Sequence, residues 1–203
     1  MSDLKRAAFE VIHRNMDQIA LIGDSLFSFA EVAMQEFEIC RLLSEVLSSV
    51  GFDVETGISG FPTAVVGTYG AGHPVIAIHS EFDALPSGSQ EPGVTERKEI
   101  APGGPGHAEG HNCGPAVAIG GLYAVKRIME SHGLGGTIKF FGVPAEEVTL
   151  PRPPRSGPAA ITRLRPRQSS RISRWWAGRA GRRLERPRRH HLSRAPRKDP
   201  VPG

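Results

Sequence analysis

Apolar residues recur at three- and four-residue intervals from the start of the chain. Leu4, Ala8, Val11, Ile12, Met16 and Ile19 form one such set, and Val32, Ile39, Leu42, Leu43 and Val46 form a second. Spacing of this kind puts one apolar stripe on a helix, so the pattern predicts two amphipathic helices at the N-terminal end. Gly51 follows the second set and suits a left-handed C-terminal cap. Glu31, Glu36, Glu38, Arg41 and Glu45 supply that helix's charged face, and most of them read as solvated surface.

After Gly51 the rhythm changes. Thr63-Ala64-Val65-Val66-Gly67-Thr68-Tyr69 and Val75-Ile76-Ala77-Ile78-His79 are β-favouring runs separated by the turn Gly70-Ala71-Gly72-His73-Pro74, which predicts two neighbouring strands. The 30 residues from Ala84 to Cys113 hold six glycines and four prolines. A connection that far exceeds the usual median of about 4–6 residues tends to be functional. A helix is expected from about Pro115, with Val117, Gly121, Val125 and Ile128 on one face, followed by a strand over Thr137–Val143. Strand, crossover helix and strand imply parallel pairing. The expected fold class is therefore α/β: a partial mixed or parallel sheet flanked by helices.

Composition divides this picture in two. Residues 1–150 carry 9 Lys/Arg against 19 Asp/Glu, whereas residues 151–203 carry 16 against 2, so a net charge of +4 conceals halves of about −10 and +14. From Pro151 onward 15 of 53 residues are Arg and 9 are Pro, and no apolar period survives. Such a tail cannot bury a core. The expected organisation is one acidic α/β domain over 1–150 and a disordered Arg/Pro-rich tail over 151–203. Cys40 and Cys113 are the only cysteines and show no disulfide framework. Lys5, Glu10, Arg14 and Asp17 interrupt the N-terminus, where a signal peptide needs an apolar stretch, and no run reaches the roughly 18 apolar residues that cross a bilayer. A cytoplasmic protein with no membrane contact is expected.

In open parallel sheets, sites form beyond the carboxyl ends of the strands. The first apolar strand exits into Ser80-Glu81-Phe82-Asp83-Ala84-Leu85-Pro86, the last into Pro144-Ala145-Glu146-Glu147, and His107-Ala108-Glu109-Gly110-His111-Asn112 precedes the crossover helix. Three ionisable clusters thus converge on one sheet edge. Crowded carboxylates resist ionising unless a cation sits among them, and little Lys or Arg is near in sequence. A divalent metal resolves the conflict, and histidine with carboxylates suits zinc, manganese or cobalt. Adjacent glutamates can divide the labour, one binding metal and the other acting as general base. Each element also has a plainer reading: a solvated Glu-Glu pair, loop histidines bonded to backbone, or Asp83 capping a turn.

Three stretches resemble the metal-dependent amidohydrolases that include aminoacylases, carboxypeptidases, auxin-conjugate hydrolases and aminobenzoyl-glutamate hydrolase. They are Glu81-Phe82-Asp83-Ala84-Leu85-Pro86, Gly104-Pro105-Gly106-His107-Ala108-Glu109-Gly110-His111-Asn112, and Gly136-Thr137 through Gly142-Val143-Pro144-Ala145-Glu146-Glu147. The resemblance runs from about residue 4 to 148, and the segment Ser89–Lys98 looks most like the aminobenzoyl-glutamate branch. In that family the motif before the crossover helix reads His-x-Cys-Gly-His-Asn or Asp, with the cysteine and second histidine binding metal. His111 carries over as a ligand. The cysteine position is Glu109, a carboxylate in place of a bridging thiolate, as related peptidases have. The resemblance further implies Glu146 as general base, Glu147 as metal ligand and Asp83 as a supporting catalytic residue that orients a ligand. It also implies two divalent ions, zinc or manganese, and a small-molecule amide substrate joining an acyl or aroyl group to an amino acid.

Family members are about twice as long, with further histidine ligands and an inserted dimerisation or lid domain after the glutamate pair. The chain is accordingly expected to be a truncated and inactive hydrolase. A non-catalytic fragment, or a subunit completed by a homo- or hetero-oligomeric partner, is the alternative. The tail is expected to be a shifted reading frame. A nucleic-acid arm using arginines with Trp175 and Trp176 is the weaker reading, and His190 and His191 are assigned no role.

Overall fold

The computed structural model describes residues 2–147. The first apolar run divides at Asn15 into two helices, α1 (Asp3–Arg14) and α2 (Met16–Phe29). The Ser2 hydroxyl accepts the Lys5 N–H at 3.4 Å and caps α1. The Asn15 amide donates to the Val11 carbonyl at 2.7 Å, a side-chain bond that competes with the helical ladder and favours the break. α2 stops at Ala30, which adopts a left-handed φ of 46°.

The next helix, α3 (Phe37–Ser49), begins well after Val32. Val32 instead forms an isolated bridge to Ala84. The Glu31 carboxylate accepts the N–H groups of Glu38 and Ile39 at 3.1 and 3.0 Å, satisfying first-turn donors that have no intrahelical acceptor. The expected solvated acidic face is thereby corrected at two positions, since Glu31 is half-buried and Glu36 is fully buried. Arg41 does bridge Glu38 and Glu45 along the outer face.

Four strands form one sheet: β1 (Asp53–Thr56), β2 (Val65–Ala71), β3 (Val75–Glu81) and β4 (Gly136–Val143), in the order β1-β2-β4-β3. β2 runs antiparallel to β1 and to β4, while β3 runs parallel to β4 with Val75 opposite Thr137 and Glu81 opposite Val143. The sheet is mixed, as expected. β2 and β3, expected as neighbours, are separated by β4. The physical reason is burial: β4 carries Ile138 and Phe140 in the core, and the central place gives its backbone groups partners on both edges.

The crossover helix α4 (Cys113–His132) joins β3 to β4. Its buried side is Ala116, Ile119, Leu122 and Tyr123, while the face read from the sequence through Val117 and Val125 is turned outward, with Val117 70% and Val125 41% exposed. Both sides of this helix are apolar, so periodicity could not choose between them. Close approach does: a Cβ on Gly120 would stand 2.8 Å from Ile19 Cδ1, so the small-residue side is the one that fits against α2. The core gathers Ile22, Leu26, Ile39, Leu43, Leu47, Val65, Phe82, Ile119, Leu122 and Phe140. No helix among the described residues is long and apolar enough to cross a membrane. The boundary expected at residue 150 and the tail over 151–203, with the frame-shift and nucleic-acid readings attached to it, lie outside the described residues.

Candidate metal centre

β3 ends at Glu81, and the buried Phe82 anchors the chain as it leaves the sheet. Asp83 follows with its side chain fully removed from solvent. The Ala84 N–H donates to the Glu31 carbonyl at 2.8 Å, so the chain beyond Asp83 is held by the residues that precede α3.

The long connection then folds back. Leu85 and Gly106 exchange backbone hydrogen bonds at 3.1 Å in both directions. A Cβ at Gly106 would overlap the Gly88 carbonyl, so this backbone approach requires glycine. The fold-back returns His107–Asn112 to the side of Asp83. There His107 Nε2 bonds the Leu26 carbonyl at 3.1 Å and the Asn112 amide donates to the Gly23 carbonyl at 3.3 Å, tying the motif to α2. Burial pushes the His107 imidazole below its ordinary pKa, against the raising influence of the Leu26 carbonyl. His107 is thus engaged with backbone, the plainer of the two readings open for it.

His111, 17% exposed, sits over Asp83, with Nδ1 3.1 Å from the Asp83 carbonyl oxygen and 3.4 Å from Asp83 Oδ1. Donation from Nδ1 to the carbonyl leaves Nε2 as the lone-pair nitrogen. Glu147 arrives from β4: its backbone N–H donates to Asp83 Oδ2 at 3.0 Å, and its Oε1 lies 3.9 Å from His111 Nδ1. One ligand atom each from Glu109, His111 and Glu147 lies within 4.8 Å of the others. Glu146 is exposed and is not a member of that group.

Burial first, and then the neighbouring Glu109 and Glu146 charges, push the Glu147 carboxyl above its ordinary pKa, opposed by His111. At this site two buried carboxylate oxygens, Asp83 Oδ1 and Glu147 Oε1, have no hydrogen-bond donor. A buried acceptor without a partner costs about 1–3 kcal/mol, and more when it carries charge. A divalent cation would supply the missing positive partner. Donors on one zinc ion stand up to about 4 Å apart, so a small rotamer adjustment would close this group on an ion. The residues present fit a divalent metal.

Sequence reasoning did not single out Glu36 and Thr63. Glu36 is 0% exposed; its Oε2 accepts the Thr63 hydroxyl at 2.7 Å and its Oε1 accepts the Ala145 N–H at 3.0 Å. One signal could have found Glu36: it stands three and seven residues before Ile39 and Leu43, on the buried stripe itself.

An α/β sheet whose strand ends gather one histidine and several carboxylates makes a candidate divalent-metal site. No family model matches the chain. One subunit of the p-aminobenzoyl-glutamate hydrolase of Escherichia coli is 34% identical over 147 residues, which are 72% of this chain and 31% of that protein. Thermostable carboxypeptidase 1 from Saccharolobus solfataricus is 32% identical over 133 residues, 64% of this chain and 32% of that one. The crystal structure of a dinuclear metal-binding peptidase from Bacillus subtilis superposes with a TM-score of 0.52 at 25% identity, covering 64% of this chain and 35% of that one. The chain belongs to the metal-dependent amidohydrolase and peptidase family, near the aminobenzoyl-glutamate hydrolase branch. It spans about a third of the length of these relatives.

Proposed function

We propose that this site serves the hydrolysis of an amide bond between an acyl or aroyl group and an amino acid. The observation that carries the reading is the pair of buried, donorless carboxylate oxygens on Asp83 and Glu147 beside His111. In this reading Glu109, His111 and Glu147 hold the metal, with zinc or manganese as the candidates and two ions in the complete site. A bound divalent ion supplies Lewis-acid polarisation of the substrate carbonyl and of water. Asp83 orients the ligands: its carbonyl fixes the His111 tautomer and its Oδ2 holds the Glu147 backbone. Glu146, exposed beside Glu147, accepts the proton of the attacking water on a carboxylate oxygen and returns it to the leaving amine nitrogen.

The named activities of two relatives, p-aminobenzoyl-glutamate hydrolysis and carboxypeptidase action, support an amide whose leaving group is an amino acid. The first relative is one subunit of its enzyme, which supports a homo- or hetero-oligomeric partner that completes the site. Elemental analysis of purified chain tests the reading, with His111→Ala and Glu147→Ala as controls. Near-stoichiometric zinc or manganese, lost in both variants, is expected. A folded sample that takes up no metal would sink the reading. Metal-loaded chain is then assayed on p-aminobenzoyl-glutamate, alone and with an added partner chain, and Glu146→Gln should abolish turnover while leaving the metal content intact.

A further inference from the structure

We propose that Glu36 is a positioning residue of the metal centre: its buried carboxylate, oriented by Thr63, holds the Ala145 amide and so sets the backbone that carries Glu146 and Glu147. The inference rests on the proposed metal centre and extends it to a residue that touches no ligand atom.

Three observations carry it. First, Glu36 is fully buried, and each of its oxygens has one donor, from elements far apart in sequence: Thr63 ahead of β2 and Ala145 beyond β4. A carboxylate removed from water persists only where such donors compensate it. Second, Ala145 has a φ of 61°, in the left-handed region that non-glycine residues adopt rarely. A conformation of that kind survives where the surroundings over-determine it, and the Glu36 bond to its N–H is such a constraint. Third, the same short segment is gripped again two residues on, where the Glu147 N–H meets Asp83 Oδ2 at 3.0 Å. Glu36 and Asp83 therefore hold the glutamate pair from both ends, one through Ala145 and the other through Glu147. Asp83 also meets His111; Glu36 does not, and acts through backbone alone.

The experiment uses the full chain and two readouts, amide hydrogen exchange at Ala145 and Glu147 and cobalt(II) titration followed by visible absorption. In the wild type the Ala145 amide should be protected from exchange. Glu36→Ala should release that protection and weaken cobalt binding by about 10-fold or more, the usual effect of losing a group that orients a ligand. Glu36→Gln keeps an acceptor for the Ala145 amide, and its NH2 can donate to the Thr63 oxygen; it should bind cobalt within about three-fold of wild type, which a role resting on the Glu36 charge would not allow. Thr63→Val should fall between the two. Should Glu36→Ala fail to fold, Thr63→Val and the wild-type exchange rate decide. An unprotected Ala145 amide in the wild type overturns the proposal. So does a folded Glu36→Ala, or a Thr63→Val with faster Ala145 exchange, that binds cobalt like wild type while His111→Ala does not; the metal centre would then stand without Glu36. No cobalt binding by a folded wild type would instead overturn the metal centre, and this inference with it.

Discussion

Two buried groups of acidic side chains lie at the carboxyl ends of the strands, and they are finished differently. At Glu36 both carboxylate oxygens have a donor, one from the Thr63 hydroxyl and one from the Ala145 amide. At Asp83 and Glu147 one oxygen of each is left without a donor, although His111 stands within 3.4 and 3.9 Å. Burial raises the pKa of both the Glu36 and Glu147 carboxyls, but only at Glu147 do further glutamates, Glu109 and Glu146, add to the rise. The first group is closed by the protein itself, and in the proposed reading the second is closed by a cation. Buried acid is thus not in itself the mark of a metal site; what distinguishes Asp83 and Glu147 is incomplete compensation beside a histidine and a further carboxylate.

The largest test of this contrast is removal of the closed carboxylate. Glu36→Ala leaves the Thr63 hydroxyl and the Ala145 amide without acceptors, and should lower the metal-free unfolding free energy by roughly 3 kcal/mol in a urea titration. A loss below about 0.5 kcal/mol would mean that those hydrogen bonds do not close the site. Metal comes next. Zinc or manganese at a hundred-fold excess over Kd should stabilise the chain by about 2.7 kcal/mol, seen as a raised thermal midpoint, and His111→Ala should remove the shift. No shift with either ion would make the two groups equivalent.

At the open site the sign reverses. Glu147→Gln removes one of three crowded carboxylates and provides an NH2 for the Glu109 side chain, so metal-free chain should gain up to about 1 kcal/mol. The same change should weaken metal binding by about 10-fold or more, measured by competitive chelation. A stability loss without metal would contradict the open-site reading.

The smallest effect is in pH. Burial holds the folded Glu36 pKa above its unfolded value of 4.5, so the stability gained by its protonated form is complete below 4.5 and is lost as pH rises through the folded pKa. Metal-free Glu36→Gln lacks this loss. Its stability relative to wild type should therefore grow as pH rises through that window in paired denaturation curves. A parallel pair of curves would place the Glu36 carboxylate in water.

The fold was legible where one face was apolar and the other was not. α3 shows this best, since Ile39, Leu42, Leu43 and Val46 could only turn inward. α4 was not legible in the same way: it has apolar residues on both sides, and it is the side with Ala116 and Gly120 that lies close against α2 while Val117 is turned out. The order of strands and clusters was enough to direct attention to one sheet edge, and Glu109, His111 and Glu147 do meet there. Glu36 went unnoticed because an acid beside helical charges reads as surface, although its place on the Ile39–Leu43 stripe pointed inward.

The sequence by itself determined the kinds of element, the parallel β3–α4–β4 connection and the family, because periodicity, glycine-rich turns and ordered motifs are properties of neighbouring residues. Only the tertiary structure decided that β4 lies between β2 and β3, that Glu36 is closed while Asp83 and Glu147 are open, and that Ala145 is held in a left-handed conformation. Those outcomes depend on which donors reach which acceptors across 27, 64 and 109 residues of chain, and local pattern carries no record of that.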